Sequence, residues 1–338
     1  MALTSTEKLT EAFSLALEDR ASGYVDLVSN ANALLATMRD KGMFKTFSGP
    51  TIRERLLYNE SNTYIRYSGF SYLNPKPAEL FNDAEFTPKM AAVSVTIANE
   101  DILKNSGPNQ LKNLFEEHLK AAETELEDRF TEDLHSDGTA DGGLQIGGLQ
   151  LAIPTVANTG VYGGIDRAAN AIWRTTTYDA NSYFSTIGTQ VNAATVKPMW
   201  DVVMVERSRG KKGPDLILAS QQHYLAYTSA LQAIQRINDE TKLGKMGFTA
   251  LKYFGAGKSC DVVLEGGIGS AMPANTTYFV DTAALTFRYH PDRNFSKIGG
   301  KHQPANQDAI VQHVGFMGEL TMNNPLHTAK FYDSNPAA

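Results

Sequence analysis

Gly255-Ala256-Gly257-Lys258-Ser259 fills the last three places of a phosphate-binding loop with Gly257, Lys258 and Ser259. Such a loop runs G-x-x-x-x-G-K-[ST] between a strand and a helix, so that backbone amides and the helix N-terminus meet the phosphates. The first glycine would fall where Lys252 stands, and the CDVVLEGG beyond has a strand pattern. An exposed turn between strands is the expectation. The seven histidines, His118, His135, His223, His290, His302, His313 and His327, include no i, i+4 pair with a glutamate. That pair is what holds zinc on a protease helix, so these side chains read as surface or packing residues. Glu116, Glu117, Glu123, Glu125, Glu127 and Asp128 crowd one stretch, but Lys112, Lys120 and Arg129 are interleaved with them. Mixed charges of that kind mark a solvated helix face rather than a metal site. There is no Gly-x-Ser-x-Gly elbow, and the single cysteine, Cys260, reads as a small core residue ahead of the apolar run DVVL. Asn59-Glu60-Ser61 and Asn275-Thr276-Thr277 match the glycosylation pattern, which has meaning only in a secreted chain. No residue is assigned to catalysis, to a cofactor or to a metal.

The elements that would have to position such residues tell more. The chain has 338 residues, 42% hydrophobic and 20% charged, enough for one large domain or two sharing a core. No run approaches the roughly 20 apolar residues of a membrane helix. The opening MALTSTEKLTEAF lacks a basic region followed by an apolar core, so it does not read as a secretory signal. One cysteine excludes an internal disulfide framework, as expected for folding in a reducing cytoplasm. A formal charge of −6 gives no electrostatic reason to coat duplex DNA.

Thr4 and Glu7 form a capping box ahead of Leu9, Phe13 and Leu17. A second helix is expected from Tyr24 to Lys41, with Gly42 as its C-terminal cap. Both stripes are narrow, so both helices must lie on something else. Thr51 to Tyr58 and Thr63 to Phe70 read as two strands around an Asn59 to Asn62 turn. That hairpin mixes Arg53, Glu54, Arg55 and Arg66 with Ile52, Leu56, Tyr64, Ile65 and Tyr67, which leaves it a weak core face. A lone hairpin is marginal in water, so it either packs on its own domain or reaches a neighbour. Val93, Val95 and Ile97 alternate with Ser94 and Thr96 in a strand with one buried face. Pro108 opens the longest helix, striped by Leu111, Leu114, Phe115, Ala122, Leu126, Phe130 and Leu134. After Gly138 the chain turns rich in Gly, Asn and Thr. A helix from Ser182 to Lys197, a strand DLILAS, a helix QQHYLAYTSALQAIQRI and three later strand-like runs come next. Helices and strands lack a βαβ rhythm, so the fold class is α+β.

Several strings, taken in order, resemble the major capsid proteins of tailed bacteriophages, of the Hong Kong 97-type fold. PTIRERLLYNESNTYIRYSGFSYL resembles that family's extended loop, and MAAVSVTIANEDILKNSGPNQLKNLFEEHL resembles the strand and turn entering its spine helix. GGIDRAANAIWR resembles the segment opening its axial domain; PDLILAS and NQDAIVQHVGFMGELTMNNPLHTAKFYD resemble its later strands. The resemblance implies an N-terminal arm over 1–45, an extended β-hairpin loop over 46–85 and a peripheral domain with the spine helix over 86–138. It further implies an axial domain over 139–300 and closing strands over 301–338 that return to the peripheral domain.

The same resemblance implies a shell subunit with no catalysis. Copies would join through pentamers and hexamers into an icosahedral head around double-stranded DNA. A mildly acidic wall suits contents that it should not grip. Arg53, Glu54, Arg55, Arg66 and Tyr67 are the expected subunit-interface residues, with the arginines forking onto carboxylates of a neighbour. A scaffolding protein, a portal and a decoration protein are the implied partners; no long extension precedes the arm, so either scaffolding comes from a separate protein or a cleaved segment is not in this sequence. Lys76, the one lysine near the loop, sits in a proline-rich turn without a cross-linking pattern. Two other readings stay open: an encapsulin-like compartment shell, and a cytosolic enzyme with an unrecognised site.

Overall fold

The computed structural model describes residues 33–57, 64–70, 81–104, 108–210, 212–232, 250–255, 258–265, 271–302 and 308–336. The Thr4 capping box, the Leu9 to Leu17 stripe and the first part of the second helix lie outside them, as does Lys76.

The second helix is α1, Ala33–Asp40, with Leu34 and Met38 buried. Gly42, at φ +66°, ends it as its position predicts. The Gly42 N–H donates to the Arg39 carbonyl and the Met43 N–H to the Met38 carbonyl, the paired bonds that satisfy a helix's last acceptors. Strands β1 (Phe44–Thr46) and β2 (Ile52–Leu57) follow, then β3 (Phe81–Phe86), β4 (Lys89–Ala98), α2 (Asn99–Lys104) and α3 (Pro108–Leu134). Helix α3 starts at Pro108 and has 27 residues, so it spans on the order of 40 Å. The hairpins and helices beyond are β5 (Val161–Tyr162), β6 (Ile165–Asp166), β7 (Thr176–Asp179), α4 (Val196–Arg207), β8 (Leu216–Ala219) and α5 (Gln221–Gln232). The remaining strands are β9 (Ala250–Gly255), β10 (Lys258–Leu264), β11 (Thr276–Val280), β12 (Leu285–Tyr289), β13 (Ser296–His302), β14 (Ala309–Met322) and β15 (Ala329–Tyr332).

The class is α+β, with two main sheets. The first has the order β1-β12-β14-β13, and β4 runs antiparallel to β14 from Ala309↔Ala98 to Gly318↔Lys89. Two of its strands, β12 and β13, come from the stretch that the sequence reading assigns to the Gly-rich domain. Helix α3 lies on this sheet through one aromatic knot. The Phe130 ring meets Phe287 and Phe316 edge-on, each with centroids 5.4 Å apart. The second sheet has the order β7-β15-β11-β8-β10-β9. All four residues of β8 are buried, and they divide by face. Ile217 and Ala219 join the core under α4 and α5, where Trp200 stacks on Tyr227 at 4.9 Å; Leu216 and Leu218 join the core of the first sheet. A strand covered on both faces loses polar alternation, which is why LILA reads as a continuous apolar run.

Two expectations are corrected. No helix runs from Ser182 to Lys197. The helix there is α4, which begins at Val196. Pro198 stands in its first turn, where a missing N–H costs nothing. Asn192 caps the approach, its Oδ1 accepting the N–H of Ala194 at 2.9 Å. Nor does the Thr51 to Tyr58 segment pair with Thr63 to Phe70. Its partner is β3, read from sequence as loop, in the register Ile52↔Phe86 to Leu57↔Phe81. Alternation on β3 buries Ala84 and Phe86 beside Ile52 and Leu56, and the other face sets Arg53 against Glu85 and Arg55 against Asp83. Residues 64–70 form no strand.

Candidate functional site

Strands β2 and β3 pair at the base of a loop, and residues 64–70 fall between them in the chain, outside the paired ribbon. The base is fixed by a polar contact and an apolar one. Glu54 turns inward, where its Oε1 accepts Arg288 Nε at 2.7 Å and Thr321 Oγ1 at 3.1 Å. Its neighbours on the strand face outward: Arg53 Nε lies 2.8 Å from Glu85 Oε1, and Arg55 Nε lies 3.7 Å from Asp83 Oδ1. The apolar contact is with the β5–β6 hairpin. The Glu85 N–H donates to the Gly163 carbonyl at 2.9 Å, and the Phe86 ring meets Tyr162 edge-on at 4.9 Å. Tyr162 in turn stacks on Trp173, whose indole N–H donates to the Tyr162 carbonyl.

Gly163 has to be glycine for two reasons. Its φ is +57°, and a Cβ there would lie 2.8 Å from Phe86 Cζ and 2.9 Å from the Ala84 methyl. We expect Gly163→Ala to destabilise the chain by about 1–3 kcal/mol, through crowding plus left-handed strain. Urea unfolding of the full chain measures this. A change under about 0.5 kcal/mol would show that the loop base does not press on the hairpin.

Beyond the base the chemistry reverses. Tyr64 is 83% exposed, Tyr67 65% and Phe70 fully so, with exposed Ile65 and Arg66 between them. Four large apolar side chains within seven residues, outside any strand or helix, make a surface that costs free energy until something covers it. The five residues expected at an interface thus separate. Arg66 and Tyr67 lie on this exposed segment. Arg53 and Arg55 are exposed but paired across the ribbon. Glu54 is tied within its own chain, because a nearly buried carboxylate needs a cation close by, and Arg288 supplies it. Sequence reasoning missed Arg288, which stands 234 residues away, and no local pattern marks it.

The chemistry-bearing motifs fall in packing positions. In the glycine-lysine stretch Gly255 ends β9 and Lys258 opens β10 opposite it, so a strand rather than a helix comes after; Ala256 and Gly257 lie outside the described residues. Cys260 is buried and its thiol donates to the Pro214 carbonyl at 3.1 Å. His135, His223 and His327 are buried, not at the surface. Burial pushes His223 down to about 3, so it packs as a neutral ring with Nδ1 2.8 Å from Thr277 Oγ1. Burial also lowers Lys330 to about 8, and its Nζ donates to Thr155 Oγ1. Among the described residues no three His, Cys, Asp or Glu side chains gather as a metal group. None of the described helices is long and apolar enough to cross a membrane.

A long helix on one sheet, a second sheet with its own helices, and an extended loop anchored on the first sheet and the β5–β6 hairpin compose the Hong Kong 97-type capsid fold. The chain is similar to the cyanophage A-1(L) capsid subunit over 86% of its length and 90% of the other chain, at 14% identity and a TM-score of 0.64. Similarity to a chain of Mycobacterium phage Bobi covers 90% and 91%, at 12% identity and a TM-score of 0.51. Similarity to the capsid of a native GTA particle covers 88% and 90%, at 9% identity and a TM-score of 0.53. No family model matches the sequence, and neither does any curated protein.

Proposed function

We propose that this chain is the major capsid protein of a tailed phage. Copies of it assemble through pentamers and hexamers into an icosahedral head that encloses double-stranded DNA, and the chain carries out no catalysis. The observation that carries the reading is the exposed Tyr64 to Phe70 segment, held out by a base tied to both the first sheet and the β5–β6 hairpin. A loop anchored so firmly at its root, with aromatic side chains at its far part, is built to lie on another copy. The full-length likeness to phage capsid chains supports the same reading.

Residues 1–45 then act as the arm and 46–85 as the extended loop. Residues 86–138 carry strand β4 of the peripheral sheet and the spine helix, joined by β1, β12, β13 and β14, and the Gly-rich remainder of 139–300 points to the symmetry axes. Many moderate contacts in a closed shell give a stability that no single pair supplies. A scaffolding protein, a portal and a decoration protein are the expected partners, and the virion is the expected location. Contact with the genome is non-specific, in keeping with the net charge of −6.

Electron microscopy of the purified full-length chain, with and without a candidate scaffolding protein, tests this. Closed shells tens of nanometres across, or rings of five and six, are expected. A uniform monomer or dimer under every condition would overturn the reading and favour an enzyme. Shells that load a tagged enzyme rather than DNA would favour a compartment.

A further inference from the structure

Glu319 stands on β14 with its carboxyl group under the segment that leaves the spine helix. Its Oε1 accepts the N–H of Gly147 at 2.9 Å, and Oε2 has no hydrogen-bond partner among the described residues. The approach is close enough that a Cβ on Gly147 would lie 2.5 Å from that Oε1. Residues 138–152 lead from the spine helix toward the second sheet, and this contact is one of those that fasten them to the first sheet. The rest of the fastening is both apolar and polar: Ile146, Leu149 and Ala152 are buried in the core beneath the first sheet, Ser136 Oγ donates to the Ile146 carbonyl, Gln145 Nε2 to Asp133 Oδ1 and Lys89 Nζ to the Gly143 carbonyl.

Several charged or titratable groups face Glu319, from every element around it. Lys89 reaches in from β4 and Asp133 from α3. Arg288 is its cross-strand partner on β12 but is engaged by Glu54. Tyr162 comes from β5, and Arg167 directs its guanidinium to the carbonyls of Leu151 and Ala152. None of the described ion pairs includes Glu319.

We propose that Glu319 is a proton-operated latch: its neutral carboxyl group holds residues 138–152 against β14, and its ionisation loosens the joint between the spine helix and the second sheet. An unpartnered neutral oxygen in this site is tolerable, whereas an unpartnered buried charge is costly. Burial accordingly moves the group up to about 8. Once the segment lifts, the carboxyl meets water and returns to about 4.3. Proton counting gives the sign. Below about pH 4.3 both forms hold the proton and opening is independent of pH. Between the two values only the closed form holds it, so opening rises about tenfold per pH unit and levels off above about 8. The joint is tight in acid and loose at neutral to alkaline pH. This latch goes beyond the shell reading, and its test does not depend on assembly.

Hydrogen exchange of the full-length chain from pH 5.5 to 8.5, corrected for intrinsic exchange, reads the opening of residues 138–152 directly. The wild type should show roughly a hundredfold rise in opening over the two units from pH 5.5 to 7.5. Glu319→Gln keeps the acceptor for Gly147 and removes the ionisation, so its profile should be flat while β8 and β11 remain protected. A flat wild-type profile, or the same rise in Glu319→Gln, would overturn the latch. Should Glu319→Gln fail to fold, Gly147→Ala serves instead. Its methyl group unseats the carboxyl, so residues 138–152 should already be open at pH 5.5, and a full pH-dependent rise in that variant would overturn the proposal.

Discussion

Replacing Tyr64, Tyr67 and Phe70 together by alanine should abolish shell formation at concentrations where the wild type assembles, while leaving the unfolding midpoint of the free subunit unchanged. The three side chains are exposed, so the isolated chain loses almost no packing when they go. In an assembly each would be covered by another copy, and buried aromatic anchors commonly contribute about 2 kcal/mol or more apiece. Even one such loss raises the concentration needed for a given contact about thirtyfold, and the contact recurs at every subunit of the shell. Light scattering against concentration, paired with urea unfolding, separates the two effects. Shells forming at the wild-type concentration would show that residues 64–70 are not the contact. Arg66→Glu should weaken assembly less than the triple change. Arg53→Glu and Arg55→Glu mix two effects, since each also sets like charges against Glu85 or Asp83 within the ribbon.

Glu54→Ala should cost the chain about 3 kcal/mol. That is the low end for breaking a buried ion pair, because Arg288 keeps about a fifth of its side chain in solvent. The loss is the guanidinium left without its carboxylate; Thr321 Oγ1 keeps the Thr286 carbonyl as its acceptor at 3.0 Å. Adding Arg288→Met to Glu54→Ala should recover part of the loss, since the stranded charge is then gone. Denaturant midpoints of the two single variants and the double variant form a closed cycle. Additive costs would mean that the two side chains do not interact, and that the loop base is held by Phe86 on the hairpin alone. Hydrogen exchange at β2 and β3 adds a local reading, because protection there should fall before protection in β8 and β11 does.

Much of the architecture was legible because it is local. Gly42 marks a helix end, since few residues besides glycine accept φ +66° without strain. Pro108 marks a helix start because a first-turn N–H needs no partner. The alternation of Val95 and Ile97 with Ser94 and Thr96 marks a strand with one wet face, and LILA marks a strand with none. The order of these elements carried the resemblance to the capsid fold. The stretch from Ser182 to Lys197 was less legible: its helix begins only at Val196, and Pro198 stands in the first turn of that helix.

Residue types and spacing therefore determined most of the elements and their exposed and buried faces, though not β3 or the start of α4. Tertiary structure alone decided partnership. Period-2 alternation says which side of β2 is buried but not that β3, with its first residue 24 places beyond Leu57, is the strand beside it. Charge in a strand suggests an outward face, and it does so for Arg53 and Arg55; Glu54 departs because Arg288, 234 residues distant, offsets the cost of burying it. Glu319 reads as one more polar residue of an alternating strand until Gly147 is seen to close over it. The electrostatic energy of a carboxylate depends on what surrounds it in space, and neighbours in space are not written into the neighbours in the chain.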